Sequence, residues 1–173
     1  LHDALPILSV TAAYFENEQT RADRDNVTAE AFEVRGLEVE GFEVQVQGQV
    51  TERLVLSASY SYLDGETGSG EVPRELPENM ASFWGTYQFT NRFGVGLGAT
   101  YQDQSLISDG GPEILPSYTR LDVAAYYDVS DKLRLQVNIE NLTDELYFPN
   151  AHSTHQATVG APVNALFTVS GKF

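Results

Sequence analysis

Apolar and polar residues alternate with a period of two through most of this chain, and no other feature constrains the fold as strongly. Successive side chains of a β-strand point to opposite faces, so this period marks strands whose two faces differ in chemistry. In residues 93–102, aromatic and aliphatic side chains alternate with glycine, threonine and glutamine. No segment shows a sustained helical stripe. The pattern therefore predicts an all-β protein.

Eight segments carry this alternation, and short polar stretches or longer irregular ones separate them. The predicted strands are 8–17, 37–50, 54–63, 80–90, 93–102, 117–129, 132–142 and 163–173. Because strand and turn follow each other without interruption, we predict an antiparallel up-and-down meander in which each strand pairs with its sequence neighbour.

The connections between the predicted strands alternate in length. The short ones are polar and include one base each: 51–53, 90–92 and 130–132. The long ones are 18–36, 64–79, 103–116 and 143–162. Outer-membrane barrels show this alternation because their periplasmic turns are tight and their external loops are extended. The pattern predicts a partial transmembrane β-barrel with its C-terminus on the periplasmic side.

The apolar face of these strands is smooth, with small aliphatic residues in the middle and aromatic residues towards the ends. Phe93 and Tyr101 lie on one face of one strand, which places them roughly 20 Å apart along a barrel axis. That spacing fits the two aromatic girdles of a membrane barrel. We expect the face that contains the following residues to contact lipid: Leu97, Val123, Ala125, Val137 and Phe167.

Composition excludes several classes of protein. The net charge of −15 argues against a nucleic-acid partner. The absence of cysteine excludes a disulfide framework. No stretch approaches the ~20 apolar residues of a membrane helix. The first residues lack the basic start and apolar segment of a signal peptide, which for an exported protein implies that its true start lies elsewhere.

Five motifs, in order, resemble the barrel of TonB-dependent receptors. Residues 138–147 resemble the signature N-x-x-N-L-x-D-x-x-Y, carried here by Asn138, Asn141, Leu142, Asp144 and Tyr147. Residues 160–173 resemble the final strand, which ends on phenylalanine. The other matches are 41–48, 56–64 and 115–122. The siderophore-receptor branch is the most similar.

The resemblance implies a 22-stranded barrel with an N-terminal plug inside it. Residues 8–173 would be the C-terminal part of that barrel, and residues 1–7 either a non-native or disordered leader or an ordinary incoming turn. The family lies in the outer membrane of Gram-negative bacteria and takes up ferric siderophores. Its further partners are lipid, the barrel-assembly machinery, and the TonB complex, which acts through the plug.

Two groups of residues are candidate functional positions. Phe167, Val169 and Phe173 form the expected membrane-assembly signal, although Gly171 stands where the family usually has an aromatic residue. A polar wall is expected to line the barrel lumen, and some of its charges to pair across neighbouring strands. Its members are Arg120, Asp122, Arg134, Gln136, Asn138 and Glu140. Beside it, Gly94, Gly96 and Gly98 either leave room for the plug or ease strand curvature.

Signals of catalysis and metal binding are weak, so we expect neither an enzyme nor a cofactor. His152 and His155 lack an obvious third ligand. Residues 23–26 lack the glycine and closing glutamate of a calcium loop. No Gly-x-Ser-x-Gly elbow is present. Two alternatives to a TonB-dependent receptor remain: another outer-membrane barrel, either a porin or a barrel enzyme, and a soluble β-sheet binding module.

Overall fold

A computed structural model describes residues 7–24, 27–28 and 30–172, and eight long strands dominate it. They are β1 (Leu8–Arg24), β2 (Ala31–Thr51), β3 (Leu54–Thr67), β4 (Asn79–Gln88), β5 (Phe93–Gln102), β8 (Tyr118–Ser130), β9 (Leu133–Glu140) and β12 (Asn164–Gly171). They form one antiparallel sheet in the order β1-β2-β3-β4-β5-β8-β9-β12. The predicted all-β meander is therefore confirmed. Among the residues described, none lies in a helix that could cross a membrane.

Two small hairpins were not predicted. The first pairs β6 (Ser105–Leu106) with β7 (Ile114–Leu115), and the second pairs β10 (Asn150–Ser153) with β11 (Gln156–Thr158). Strands of two to four residues are too short for an alternation to be recognised in a sequence. Both hairpins lie within long connections of the sheet.

The first three strands extend further than their apolar pattern indicated. Most of the predicted loop 18–36 is strand, because β1 and β2 remain paired as far as Arg24 and Ala31. The register shifts between Gln19 and Thr20, shortly after the predicted end of this strand at residue 17. β3 likewise continues to Thr67 against β2. Backbone hydrogen bonds between neighbouring strands hold these extensions, so they need no apolar face and leave no period-two signal.

The register places the residues expected to contact lipid on one face of the sheet. Val123 pairs with Leu97 on one side and with Ile139 on the other, and Val137 pairs with Ala125 and Phe167. No layer of the described chain covers this apolar face: Phe167 is 78% exposed and Leu97 52%. A soluble sheet would bury such a face against a second layer.

All three short turns share one hydrogen-bond pattern. The hydroxyl of Thr51 accepts from the backbone N–H of Arg53 at 3.3 Å, and the hydroxyl of Thr90 accepts from that of Arg92 at 3.2 Å. Ser130 accepts from the N–H of Lys132 at 3.3 Å. Serine and threonine stabilise turns in this way because the side-chain oxygen replaces a missing backbone acceptor. The common sequence is therefore a hydroxyl residue two positions before a base.

Candidate functional site

The signature motif follows β9 and is organised around Asn141, which is 1% exposed. The Asn141 side chain donates to the carbonyls of Glu145 at 2.9 Å and Ala161 at 3.0 Å, and its Oδ1 accepts from the Glu145 N–H at 2.8 Å. Its backbone has a φ of 52°, in the left-handed region, which asparagine tolerates better than most residues. A buried amide with all of these bonds made holds the two ends of the β9–β12 connection together.

The same residue is bonded to the neighbouring strand β8. The Asn141 backbone N–H donates to Oδ1 of Asp122 at 2.9 Å, and the Leu142 N–H donates to the Leu121 carbonyl at 2.7 Å. Asp122 also accepts from the Arg120 guanidinium at 2.9 Å. One carboxylate of the polar wall is therefore shared between an arginine of its own strand and the signature motif.

Tyr147 completes this arrangement, which we call the signature cluster (Asn141, Asp144, Tyr147, Arg120 and Asp122). The Tyr147 ring is 7% exposed, and its centroid lies 4.6 Å from that of Tyr118. Its hydroxyl accepts from Arg120 at 3.4 Å. Asp144 accepts from the N–H of Val163, just before β12, at 2.9 Å.

A glycine is required beside Tyr147. Gly160 donates its N–H to the Tyr147 carbonyl at 2.8 Å, and a Cβ at this position would clash with the tyrosine ring. Two of the motif residues lie outside the cluster. Asn138 accepts from the side chain of Gln136 at 2.9 Å, and the Leu142 side chain is 46% exposed.

The six residues of the predicted polar wall share the face opposite to Leu97 and Val137. Charge pairing occurs within a strand, between Arg120 and Asp122, and across strands, between Arg134 and Asp128 at 2.7 Å. Asp128 was not among the predicted residues. Two sequence signals could have identified it. Asp128 is an even number of residues from Asp122 and therefore on the same face, and it lies near the short turn, opposite Arg134. Asn164 of β12 also lies 3.5 Å from Glu140.

The glycine stripe of β5 is occupied by an indole ring. A Cβ at Gly98 would lie 2.5 Å from Cε3 of Trp84, and one at Gly96 would lie 2.6 Å from its Cζ2. Trp84 is on β4, directly opposite Gly98. The glycines therefore provide room for a tryptophan of the neighbouring strand, which neither of the two sequence interpretations considered.

Three long connections leave the sheet at the end opposite to the short turns: loop A (68–78), loop B (103–117) and loop C (141–163). An open cleft of about 560 Å³ lies between loop A and the β10–β11 hairpin of loop C. Its lining residues are Arg74, Glu75, Asn150, Ala151, His152, Gln156 and Thr158. The cleft is predominantly polar. Its side chains include hydrogen-bond donors and acceptors, among them a basic arginine and an acidic glutamate.

The start of loop B is attached to the start of β4. The Asp103 carboxylate accepts from the Asn79 side chain at 3.1 Å, and the Asp103 N–H donates to the Asn79 carbonyl at 2.9 Å. The hydrogen bond from the Asn79 amide lowers the pKa of Asp103, and the Gln104 N–H acts in the same direction. Asp103 is thus held in its charged form.

The expected membrane-assembly residues are only partly described. Phe167 and Val169 lie on the apolar face of β12 and are 78% and 68% exposed. Phe173 lies outside the described residues.

His155 bonds to the hydroxyl of Ser153 at 3.0 Å. Within the part of the chain that the structure describes, no three metal-binding side chains are grouped around a common point.

The family described as "TonB dependent receptor-like, beta-barrel" has a sequence model that matches residues 4–142 of this chain. That is most of the chain, and it includes seven of the eight long strands. This chain belongs to the TonB-dependent receptor family.

Several receptors match the chain over nearly its whole length. The siderophore receptor PiuA of Acinetobacter baumannii is 34% identical over 96% of the chain, and its crystal structure superimposes with a TM-score of 0.83. The ferripyoverdine receptor of Pseudomonas aeruginosa is 25% identical over 96%. The ferric-catecholate import receptor Fiu of K12 E. coli has a TM-score of 0.83 at 26% identity over 96%.

The matched regions are small parts of these proteins. The chain spans 25% of the length of PiuA, 23% of the ferripyoverdine receptor and 25% of the Fiu chain. The relatives are receptors rather than enzymes. In this chain the signature cluster attaches a long connection to the strands, and the polar wall forms a hydrogen-bonded surface.

Proposed function

We propose that this chain is the C-terminal part of an outer-membrane receptor barrel that takes up ferric siderophores with energy supplied through TonB. The observation that carries the proposal is the match to PiuA, which is a siderophore receptor 34% identical over 96% of the chain. Two further relatives have names that specify ferric chelates, ferripyoverdine and ferric catecholate.

The two faces of the sheet support a membrane location. Within the described part of the chain the apolar face is uncovered and smooth, as lipid contact requires. The opposite face contains the ion pairs Arg120–Asp122 and Arg134–Asp128. We propose that the polar face lines the lumen and contacts the plug of the complete receptor. Buried or enclosed charges are stable only when they are paired, as these are.

The cleft between loop A and loop C is the proposed contact for the chelate. Its lining includes an arginine, a histidine and three uncharged polar side chains, which can bind the oxygen atoms of a chelate without replacing them at the iron. The iron arrives already coordinated, so the receptor needs no metal ligands of its own. TonB would act on the plug, and the barrel-assembly machinery on β12.

Transport assays with radioactive iron test this function. Cells that express the complete receptor should accumulate iron from ferripyoverdine or from a ferric catecholate, and uptake should stop when TonB is deleted or the proton gradient is dissipated. Cells that lack the receptor provide the baseline. Uptake that persists without TonB would instead indicate a porin, and an absence of uptake from both chelates would contradict a siderophore receptor of these two classes.

A further inference from the structure

Loops A and B are joined by three hydrogen bonds that involve backbone groups. The Glu75 N–H donates to the Leu106 carbonyl at 2.8 Å. The Arg74 N–H donates to Oδ1 of Asp109 at 2.8 Å, and the Gly110 N–H donates to the Val72 carbonyl at 3.0 Å. Loop A therefore lies against loop B along several successive residues.

Loop C is attached to this pair through a side chain. Oε1 of Glu75 accepts from the backbone N–H of Ala151 at 2.7 Å. Ala151 belongs to β10 and is 7% exposed, so its N–H has limited access to water. A charged acceptor on a poorly hydrated N–H makes a stronger hydrogen bond than two neutral groups do.

Glu75 has an unusual backbone conformation where the three loops meet. Its φ is 52°, in the left-handed region that residues with a Cβ rarely adopt. In this conformation its N–H bonds to loop B while its carboxylate bonds to loop C. Such conformations persist only where several surrounding contacts require them, and they are concentrated at functional sites and moving segments.

The cleft lies across this junction. Arg74 and Glu75 line one of its sides, and the β10–β11 hairpin lines the other. The distance between the sides is consequently set by how the hairpin is held to loop A. Among the residues described, the Glu75–Ala151 bond is the hydrogen bond that joins those two sides directly.

We propose that the Glu75–Ala151 bond controls the width of this cleft: when it breaks, the β10–β11 hairpin moves away from loop A and loosens, while loops A and B stay together. Three hydrogen bonds hold A to B, whereas one carboxylate holds the hairpin to A. The hairpin should therefore open at lower free-energy cost than the A–B pair. This inference concerns motion of the loops and does not depend on which ligand the receptor carries.

Amide hydrogen exchange in the complete receptor, reconstituted in lipid without ligand, tests the proposal. E75M approximately retains the side-chain length and removes the hydrogen-bond acceptor, whereas E75Q retains an oxygen that can accept the same hydrogen bond. We expect E75M to accelerate exchange in residues 150–158 by about tenfold, and E75Q to change it much less. Exchange in β4 and β5 should be unaltered in both variants.

D109A is the matched control, because it removes an A–B bond and leaves the Glu75 carboxylate in place. It should accelerate exchange near Arg74 and leave residues 150–158 unchanged. E75G, which relieves the left-handed backbone and also lacks the acceptor, replaces E75M if that variant fails to fold. Unchanged exchange in residues 150–158 for the variant without an acceptor would overturn the proposal. Equal acceleration in residues 150–158 for E75Q and that variant would also overturn it, as would acceleration in residues 150–158 for D109A.

Discussion

At the scale of single residues, Asn141 shows how one side chain organises a long connection. Its side-chain amide forms two hydrogen bonds with the backbone of Glu145, one as donor and one as acceptor, as a paired backbone segment would. It donates a further hydrogen bond to the Ala161 carbonyl. The family signature thus has a structural explanation: asparagine combines tolerance of a positive φ with an amide that can bridge two backbone segments.

Replacing Asn141 by alanine should lower the free energy of unfolding of the complete receptor by roughly 2–4 kcal/mol, because it leaves buried backbone groups without partners and keeps a strained backbone. Urea unfolding in lipid vesicles measures this. N141D retains the acceptor for Glu145 but replaces both donors with a buried, unpaired carboxylate that faces two carbonyl oxygens, so its loss should be at least as large. If N141A is as stable as the unaltered receptor, the cluster has no structural role.

Asp103 provides a pH-dependent contribution to stability. Its pKa is lowered in the folded state by the Asn79 hydrogen bond, so folding is favoured when the carboxylate is charged. The contribution is complete above the unfolded-state pKa of about 3.9 and is lost as pH falls through the lower folded-state value. The stability difference between the unaltered receptor and D103N should therefore shrink below about pH 4. A difference that does not vary with pH would contradict this assignment.

At the scale of strands, backbone pairing and side-chain pattern have separate consequences. β1 and β2 continue well beyond their apolar segment because each satisfies the hydrogen bonds of the other. In β4 and β5 the side chains are complementary across the pair, with Trp84 packed over glycines that could not be enlarged without displacing it. Strand length is decided by the backbone, and the fit between neighbours by the side chains.

The two faces of β9 allow a matched test of orientation. Val137 lies on the apolar face and Gln136, its neighbour, on the polar face. V137R should lower the free energy of unfolding by about 2–4 kcal/mol if this position is near the bilayer midplane, and Q136R should change it little. Refolding of the complete receptor in lipid vesicles measures both. Equal effects of the two variants would reject the assignment of the faces.

At the scale of the whole molecule, β1 and β12 are the two edges of the sheet. Among the described residues, each of them pairs with one neighbouring strand. A closed barrel removes such edges by joining the first strand to the last. For the proposed contact with the assembly machinery, the exposed apolar stripe and outer edge of β12 would allow recognition by β-augmentation.

Deleting Phe173 should lower the abundance of the complete receptor in the outer membrane, because it removes an aromatic anchor from the proposed assembly signal. Molecules that insert should bind ligand with unchanged affinity, since β12 begins next to loop C and runs away from it to Gly171. Quantification in outer-membrane fractions, together with ligand binding per inserted molecule, separates assembly from binding. Normal abundance after the deletion would argue against the assembly role.

The sequence by itself determined the all-β class, the eight-strand meander, the two faces and the three tight turns. These features are local: a period of two and a turn signal can be read within about ten residues. The order of the motifs also identified the family, since the residues that resemble it are distributed along most of the strands.

Only the tertiary structure decided which distant residues meet. Arg120 and Tyr147 are separated by 27 positions and Glu75 and Ala151 by 76. Loop C contributes one residue to each pair and meets β8 in the first and loop A in the second. The tertiary structure also determines where β1 and β2 end, because pairing with the partner strand, and not the alternation of apolar residues, sets their length. Contacts of this kind depend on the three-dimensional path of the chain, which local patterns of polarity do not specify.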